Sequence, residues 1–526
     1  MIREAILKWL KLDGDPDSTR LAFNKKETET WLSRVEEYGV WYEGDSDILA
    51  SYYLGATYTG QFARAYLYNR GKKEYFWSIT TKPQEHIKKT HSGVPRAIVD
   101  TLVNVVGEPN YFADTDTTAK LNDILKHNNF KYLLSQQGRT LTLVYGWGAY
   151  KININSDISK YPTVQFYNAL DCEYIYRDNL LVGIIYKDYY KDDHNNNYVL
   201  HETRYHDGTN SYITYKLFRK SRHSLTPVAL DTIPALSALH DTTIYNFPYI
   251  FGVPSVYFYD QFHNNYGRSV YAGKLDVFDD MDQCLSQAST CIKYSTPIEY
   301  INSEFLQRGP DGQAGIADTY CRRYVMLEGE MDANGAGGTQ AVSVTQPQLN
   351  TEQFITQYRA LLKIACSGVL TPSTMGILDE ARSNANAERE REKVTIQTRN
   401  NIIACESDIL TKLYTLLLCG YEYMTTNKIS TFNYNISIKY NEFANPTFEN
   451  ELRALGIAWS QGQLSTERYI KLLWKDRLSV EEMEREKEAL DKNRQIIHQG
   501  NFYNQNEQLD AEQNITDGIS DNPLNK

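Results

Sequence analysis

In the stretch RSVYAGKLDVFDDMDQCLSQASTCIK, residues 268–293, apolar side chains fall at Leu275, Phe278, Met281, Leu285, Ala288 and Ile292. Steps of three and four put them on one helical face, with Asp276, Asp279, Asp280 and Asp282 largely on the other, the wet side. The spacing predicts a helix of about 39 Å at 1.5 Å per residue, long for an ordinary globular domain. A second helix is expected over 351–370, TEQFITQYRALLKIACSGVL, with Thr351 as N-cap and Phe354, Tyr358, Leu361 and Ala365 along one face. Between the two, residues 296–350 are punctuated by the glycine turns GPDGQAG and ANGAGG, with short strands expected at YVMLEG and AVSVTQ.

Downstream, the second helix gives way to a polar loop over 371–386 and then to ARSNANAEREREKVTIQTR, residues 381–399. Glu388 with Arg391, Arg389 with Glu392, and Glu390 with Lys393 stand at i,i+3 spacing, each pair contributing about 0.2–0.5 kcal/mol to a helix start. The helix is expected to run over 387–424. Strands return in TFNYNISIKYNEFANP, and residues 448–493 are expected to be helical, with breaks near SQGQLST and DRLS. Residues 496–526 carry too little apolar content to pack and are expected to be disordered.

Upstream, residues 1–90 read as mixed and mostly helical, with WLSRVEEYGVWYEG (31–44) an amphipathic piece ending at a glycine. HSGVPRAIVDTLVNVVGEP (91–109) has a stripe at Ile98, Leu102 and Val105 or Val106, Pro95 near its start, and Gly107 and Pro109 near its end. From residue 139 to 259 the composition turns to β-formers in period two, with KDDHNNN and HDGTN as hairpin turns.

The chain of 526 residues is long enough for several domains. Its net charge of −11 argues against a protein that coats DNA by neutralising phosphates. Seven scattered cysteines without a C-x-x-C pair indicate neither a disulfide framework nor a zinc knuckle, and favour a reducing compartment. Charges interrupt the N-terminal apolar run, and nowhere do 18 apolar residues follow one another, so neither a signal peptide nor a membrane span is expected. The 41 tyrosines against 18 Phe and 7 Trp fit either an interface-rich protein or the codon bias of an AT-rich genome.

Motifs for enzymes fail one by one. HETRYH (201–206) has one residue too many for H-E-x-x-H and reads as strand. GWGAYK (146–151) has Lys151 where a dinucleotide loop needs its third glycine, and reads as a hairpin turn. DGDPDSTRLAFN (13–24) has Ser18 and Asn24 where a calcium loop needs Gly and Glu, and reads as a solvated turn. No phosphate-cradling G-x-x-x-x-G-K-[ST] occurs. KLFRKSRH (216–223), basic with an interleaved aromatic, reads either as a phosphate contact or as a charge-protected hairpin edge. No catalytic residue, metal or cofactor is expected.

The order of parts, which is β-rich domain, long helix, glycine-rich insertion, second helix, polar loop, very long helix and helical C-terminus, resembles the portal, or connector, proteins of tailed double-stranded DNA bacteriophages. The resemblance covers roughly residues 90–490, most specifically 268–424. It implies an α+β portal fold: a wing over 1–267, stem helices over 268–293 and 351–370, a small α/β clip over 294–350, and a tunnel loop over 371–386. A long wing helix and strand over 387–446, a helical crown over 447–495 and a disordered tail over 496–526 complete it.

The resemblance also implies a ring, usually dodecameric, at one vertex of the virion capsid, assembled in the host cytoplasm. Through it DNA is packaged, retained and ejected. The partners implied are other copies of the chain, double-stranded DNA, the terminase large subunit, head-completion or adaptor proteins, and the major capsid and scaffolding proteins, with no membrane. Thr371, Pro372, Met375, Asp379, Glu380, Arg382 and Asn384 would belong to the tunnel loop, Lys293, Arg359 and Lys363 to the stem lumen. Arg308, Arg322, Arg323 and Glu328 would contact partners or neighbouring subunits at the clip. The alternatives are another head or tail structural protein, or a metal-dependent hydrolase using the His201–Glu202 region or the aspartates of 276–282.

Overall fold

The computed structural model describes residues 25–54, 75–78, 87–302 (without 157, 178–179, 193, 221–224, 261–265 and 296–297), 323–327, 342–345, 351–377, 392–440 (without 430, 431 and 433), 452, 455–459, 461–474, 484–490 and 492. It divides into two compact units, Met1–Asn441 and Glu442–Lys526. The expected calcium-like turn at 13–24 and the tail at 496–526 lie outside the described residues.

The first unit opens with α1 (Lys25–Glu43) and α2 (Ser46–Leu54), then α3 (Val94–Val106), β1 (Pro109–Phe112), α4 (Thr115–His127) and α5 (Arg139–Tyr145). α3 matches the expected stripe, with Ile98, Val99, Leu102, Val105 and Val106 buried and Gly107 at its C-cap. In α4, Asp114 accepts from the amide of Thr117 as N-cap.

The β-rich region does not begin at residue 139 as its alternation predicts. Arg139–Tyr145 is helical, and Thr140, Thr142, Leu143 and Val144 are all buried. The threonines that read as the wet face of a strand are enclosed instead: the Thr142 hydroxyl lies 2.7 Å from the Gly138 carbonyl and 2.8 Å from Ser255 Oγ. Gly146, at φ +95°, ends this helix, and a Cβ there would stand 2.8 Å from the Gly267 carbonyl oxygen. GWGAYK is therefore a helix-to-strand joint, not the expected hairpin turn.

The strands that follow are β2 (Trp147–Asn153), β3 (Thr163–Asn168), β4 (Cys172–Arg177), β5 (Leu180–Lys191), β6 (Asn197–His206), β7 (Ser211–Lys220), β8 (Leu225–Val228), β9 (Thr242–Ile244) and β10 (Gly252–Val256). They form an antiparallel sheet in the order β10-β2-β3 and a six-stranded sheet in the order β4-β5-β6-β7-β8, with β9 also beside β7. KDDHNNN and HDGTN turn the chain as expected: Asp192 accepts from the amides of His194 and Asn196, and Asp207 from those of Thr209 and Asn210. KLFRK is not the charge-protected edge expected of it, because β7 has β6 on one side and β8 and β9 on the other.

A buried charge cluster joins the two sheets. Glu202 on β6 meets Lys151 of β2 at 2.7 Å and Arg204 at 2.6 Å, and Arg204 donates to the Phe251 carbonyl at 2.6 Å. Burial pushes the Glu202 carboxyl up, but Arg204 and Lys151 more than offset it and leave it below the usual range.

Then come α6 (Leu275–Tyr294), β11 (Ile298–Asn302), β12 (Arg323–Leu327), β13 (Val342–Thr345), α7 (Thr351–Cys366), α8 (Lys393–Thr426) and β14 (Ser437–Tyr440). α6 starts seven residues later than the spacing predicts, because Gly273 at φ +77° breaks the helical path, and its length is about 30 Å. α7 stops at Cys366, short of residue 370, with Gly368 at φ +71° just past its end. Strands occur in YVML and VSVT as expected. β11 was not foreseen; it is the middle of the sheet β12-β11-β13, parallel to β12 and antiparallel to β13.

α8 spans 34 residues, about 51 Å. Its start at Lys393 is later than the expected 387, and the pairs built on Glu388, Arg389 and Glu390 lie outside the described residues. Thr395, Thr398, Ile402, Glu406, Ile409 and Leu413 give it a buried stripe, and residues 416–420 are buried all round. It packs on α3, α4, β2, β10 and β14. Arg139 binds Glu406 through Nε at 3.1 Å, while its Nη1 donates to the carbonyls of Val103 and Gly107 at 3.2 and 2.8 Å; both charged side chains are 1% exposed.

In the second unit, α9 (Thr466–Trp474) follows turns at 461–464, where a break was expected. Tyr469, Ile470 and Leu473 pack with Leu455, Trp459 and Leu490, and the Trp459 and Tyr469 rings stack at 5.3 Å.

Replacing Arg139 by Leu leaves Glu406 buried without its cation and should cost about 3–5 kcal/mol in urea unfolding. The double variant Arg139→Leu, Glu406→Leu should recover most of that loss, since the uncompensated charge is gone.

Candidate functional site

The elements that the sequence singles out converge where α6, α7 and α8 meet. α6 and α7 pack side by side. Lys274, at the N-cap of α6, donates to the carbonyls of Ala365 and Ser367 at 2.7 and 2.8 Å, whereas Cys284, farther along α6, lies 3.5 Å from the Phe354 carbonyl. The helices are therefore antiparallel. Lys274 places its ammonium on the last carbonyls of α7, the favourable end of that helix for a cation. Burial lowers its pKa to about 8, with Cys366 opposing and Arg268 adding to the shift.

Beyond α7 the chain enters a short 3-10 turn, Pro372–Met375, closed by Gly376 at φ +79°. One side chain of α8 holds this turn. Thr395, fully buried, accepts from the Thr371 amide at 2.9 Å, and its hydroxyl lies 3.0 Å from that of Thr374 and 3.3 Å from that of Thr371. Cys366 and Met375 bring their sulfurs within 3.7 Å beside it. Thr371, Pro372 and Met375 are thus half-buried at the root of the loop. Asp379, Glu380, Arg382 and Asn384 lie outside the described residues, as do Arg308, Arg322 and Glu328.

The three cations expected along the helix pair are all exposed but do not form one group. Arg359 and Lys363 stand one turn apart on α7, toward the Lys274 end. Lys293 lies in the last turn of α6, roughly 28 Å along the helix from Lys274. Arg323 is the first residue of β12, in register with Ile298 of β11.

The aspartates of α6 do not all face water. Asp276 and Asp280 are exposed, but Asp279 is 5% and Asp282 0% exposed. Two pieces of the preceding chain, residues 75–78 and 87–92, lie on that face and supply donors. The Phe76 amide reaches Asp279 Oδ2 at 2.6 Å and the Trp77 amide its Oδ1 at 3.4 Å. Trp77 Nε1 donates to Asp282 Oδ2 at 3.0 Å, His91 Nδ1 lies 2.7 Å from the same oxygen, and the Ser92 amide reaches Oδ1 at 2.8 Å. Amphipathic spacing cannot reveal such donors, because they come from about 190–200 residues away. The one hint in the sequence is that Asp282 falls about 20° from Leu275 around the helix, inside the apolar stripe, and not on its wet side.

His201 and Glu202 do not form a metal site. Glu202 is held between two cations, and the His201 ring lies against Phe218 at 4.7 Å. Among the described residues no three His, Cys, Asp or Glu side chains are grouped to hold a metal ion, and no helix is long and apolar enough to cross a membrane.

No family model and no curated protein matches the chain. Among solved structures, it is similar to a chain in the "Neck of native GTA particle computed with C12 symmetry", at 12% identity and a TM-score of 0.35, covering 74% of this chain and 91% of that one. At that score and identity the likeness is too slight to assign fold or function.

Thr395→Val keeps the shape of the buried side chain and removes its hydroxyl. The expected result is a loss of about 1–2 kcal/mol in local stability, read as faster hydrogen exchange at the Thr371 amide. The exchange of α3 and β6 should stay unchanged.

Proposed function

We propose that the chain is one subunit of a phage portal ring, which forms a channel for double-stranded DNA at one vertex of a capsid. The observation that carries this reading is the antiparallel pair α6–α7, with a three-stranded sheet in its connection and a loop rooted between α7 and the 34-residue α8. Their order is the one that the resemblance implies for stem, clip, tunnel loop and wing helix, and it supports the reading. In this reading α6 and α7 are the stem, β11–β13 belong to the clip, residues 371–386 are the tunnel loop, and the second unit is the crown.

The net charge of −11 suits a channel wall. A mostly acidic surface repels phosphate and lets a duplex slide, and a few cations brake it. Arg359 and Lys363, exposed on one face of α7, are such cations on the stem, with Lys293 at its far end and Arg382 on the loop. Energy for packaging would come from a docked terminase, which head-completion proteins later replace. Arg308, Arg322, Arg323 and Glu328 of the clip are the contacts proposed for these partners or for a neighbouring subunit.

Electron microscopy of the purified full-length protein, with its solution mass, tests the reading. Closed rings with a central hole wide enough for a DNA duplex are expected. A species that stays monomeric or dimeric both alone and with its scaffolding and capsid partners would overturn the proposal. In virions carrying Arg382→Ala, DNA retention should fall while capsid assembly proceeds; unchanged packaging and retention would remove Arg382 from the channel contacts.

A further inference from the structure

We propose that residues 75–78 and 87–92 form a proton-responsive strap on α6, docked through the buried carboxylates Asp279 and Asp282. The strap is built for attachment to that helix. Beyond its five contacts with Asp279 and Asp282, the Tyr75 hydroxyl donates to Asp276 at 2.8 Å and the Thr90 amide to Ser286 Oγ at 2.9 Å. Lys89 ties the two pieces together: its Nζ donates to the Phe76 carbonyl at 2.6 Å and stands 5.0 and 5.6 Å from the rings of Phe76 and Trp77. Phe76 and Trp77 are 5% and 1% exposed, so docking also buries two large aromatic side chains.

The charge balance makes this attachment sensitive to protons. Around Asp279 stand Asp276, Asp280 and Asp282 from α6, Tyr75, Lys89 and His91 from the strap, Tyr53 of α2 stacked on Tyr75, and Tyr358 of α7 near Asp282. His91 pairs with Asp282 rather than Asp279, and its Nε2 is buried without a hydrogen-bond partner. Asp279 faces two backbone amides, and the Lys89 charge also acts on it. Burial therefore dominates and raises the Asp279 carboxyl from 3.8 to about 7; the amides of Phe76 and Trp77 oppose the rise, and Asp282 and Asp280 add to it.

The sign follows from linkage. The docked strap binds a proton at Asp279 more tightly than the undocked one, so docking is strongest in acid and weakens as pH rises through about 7. Between about pH 6 and pH 8 the docking constant should fall about tenfold. The Phe76 and Trp77 amides reach different oxygens of Asp279 and favour its charged form, so they oppose protonation, but burial outweighs them.

Hydrogen exchange on the full-length chain at the two pH values, corrected for intrinsic rates and read against β6 amides in the same sample, tests the proposal. Protection of the Phe76 and Trp77 amides should be about tenfold lower at the higher pH. Asp279→Asn, which does not titrate and can still accept the shorter Phe76 contact through its one oxygen, should abolish the difference, and His91→Gln should retain it. Equal protection at both pH values in the native chain overturns the proposal. So does a pH effect that survives in Asp279→Asn or vanishes in His91→Gln. Should Asp279→Asn fail to fold, the native chain and His91→Gln alone decide.

Discussion

The contact on which most of the first unit depends is the buried pair of Arg139 and Glu406, which are 267 residues apart. A guanidinium has five donors in a rigid plane, and here the fork is used in two directions. One edge meets the carboxylate of α8, while Nη1 meets the carbonyls of Val103 and Gly107 at the end of α3. Arg399, two turns before Glu406, donates to the Val105 carbonyl at 2.9 Å. Arginines from α5 and α8 thus supply donors to three carbonyls at the C-terminal end of α3. The cost of enclosing such charges is met only if the three helices keep their relative placement.

This interaction also marks the limit of what the sequence reveals. Periodicity reports which side of an element is wet, and it works where burial is decided locally. The stripe of α3, the hairpins at KDDHNNN and HDGTN, and the exposed placement of Asp276 and Asp280 were all legible that way. It fails where a polar side chain is buried against a distant partner. TLTLVY alternates like a strand, yet its threonines are enclosed in a helix, and Arg139 beside them gives no sign of Glu406. Asp279 and Asp282 look like the wet side of an amphipathic helix, although donors from another part of the chain cover them.

The site divides along the same line. The order of α6, β12, β13, α7 and α8 could be read from hydrophobic spacing and glycine turns alone. The side chains that fix their geometry could not. Lys274 sits in a stretch read as helix interior, but Gly273 makes it a cap, and its ammonium reaches the end of the neighbouring helix. Thr395 lies two residues into α8, between Val394 and Ile396, and its full burial beneath the Pro372–Met375 turn is what distinguishes it. Of the cations proposed as channel contacts, Lys293, Arg359 and Lys363 are exposed. Their separation along the pair follows from the antiparallel packing, which no spacing rule contains.

These anchors bear on how a push on the loop would travel. The chain leaves the described turn at Ile377, whose amide donates back to the Pro372 carbonyl, and re-enters at Glu392, the N-cap of α8. The segment between is held at one end by Thr395 and at the other by the first turn of the same helix. A force on it therefore reaches α8 from both sides. Through Lys274 it also meets the start of α6, because the carbonyls that Lys274 holds belong to the stretch leading into the turn. α8 cannot yield by sliding alone, since Glu406 and Arg399 lock it to the end of α3.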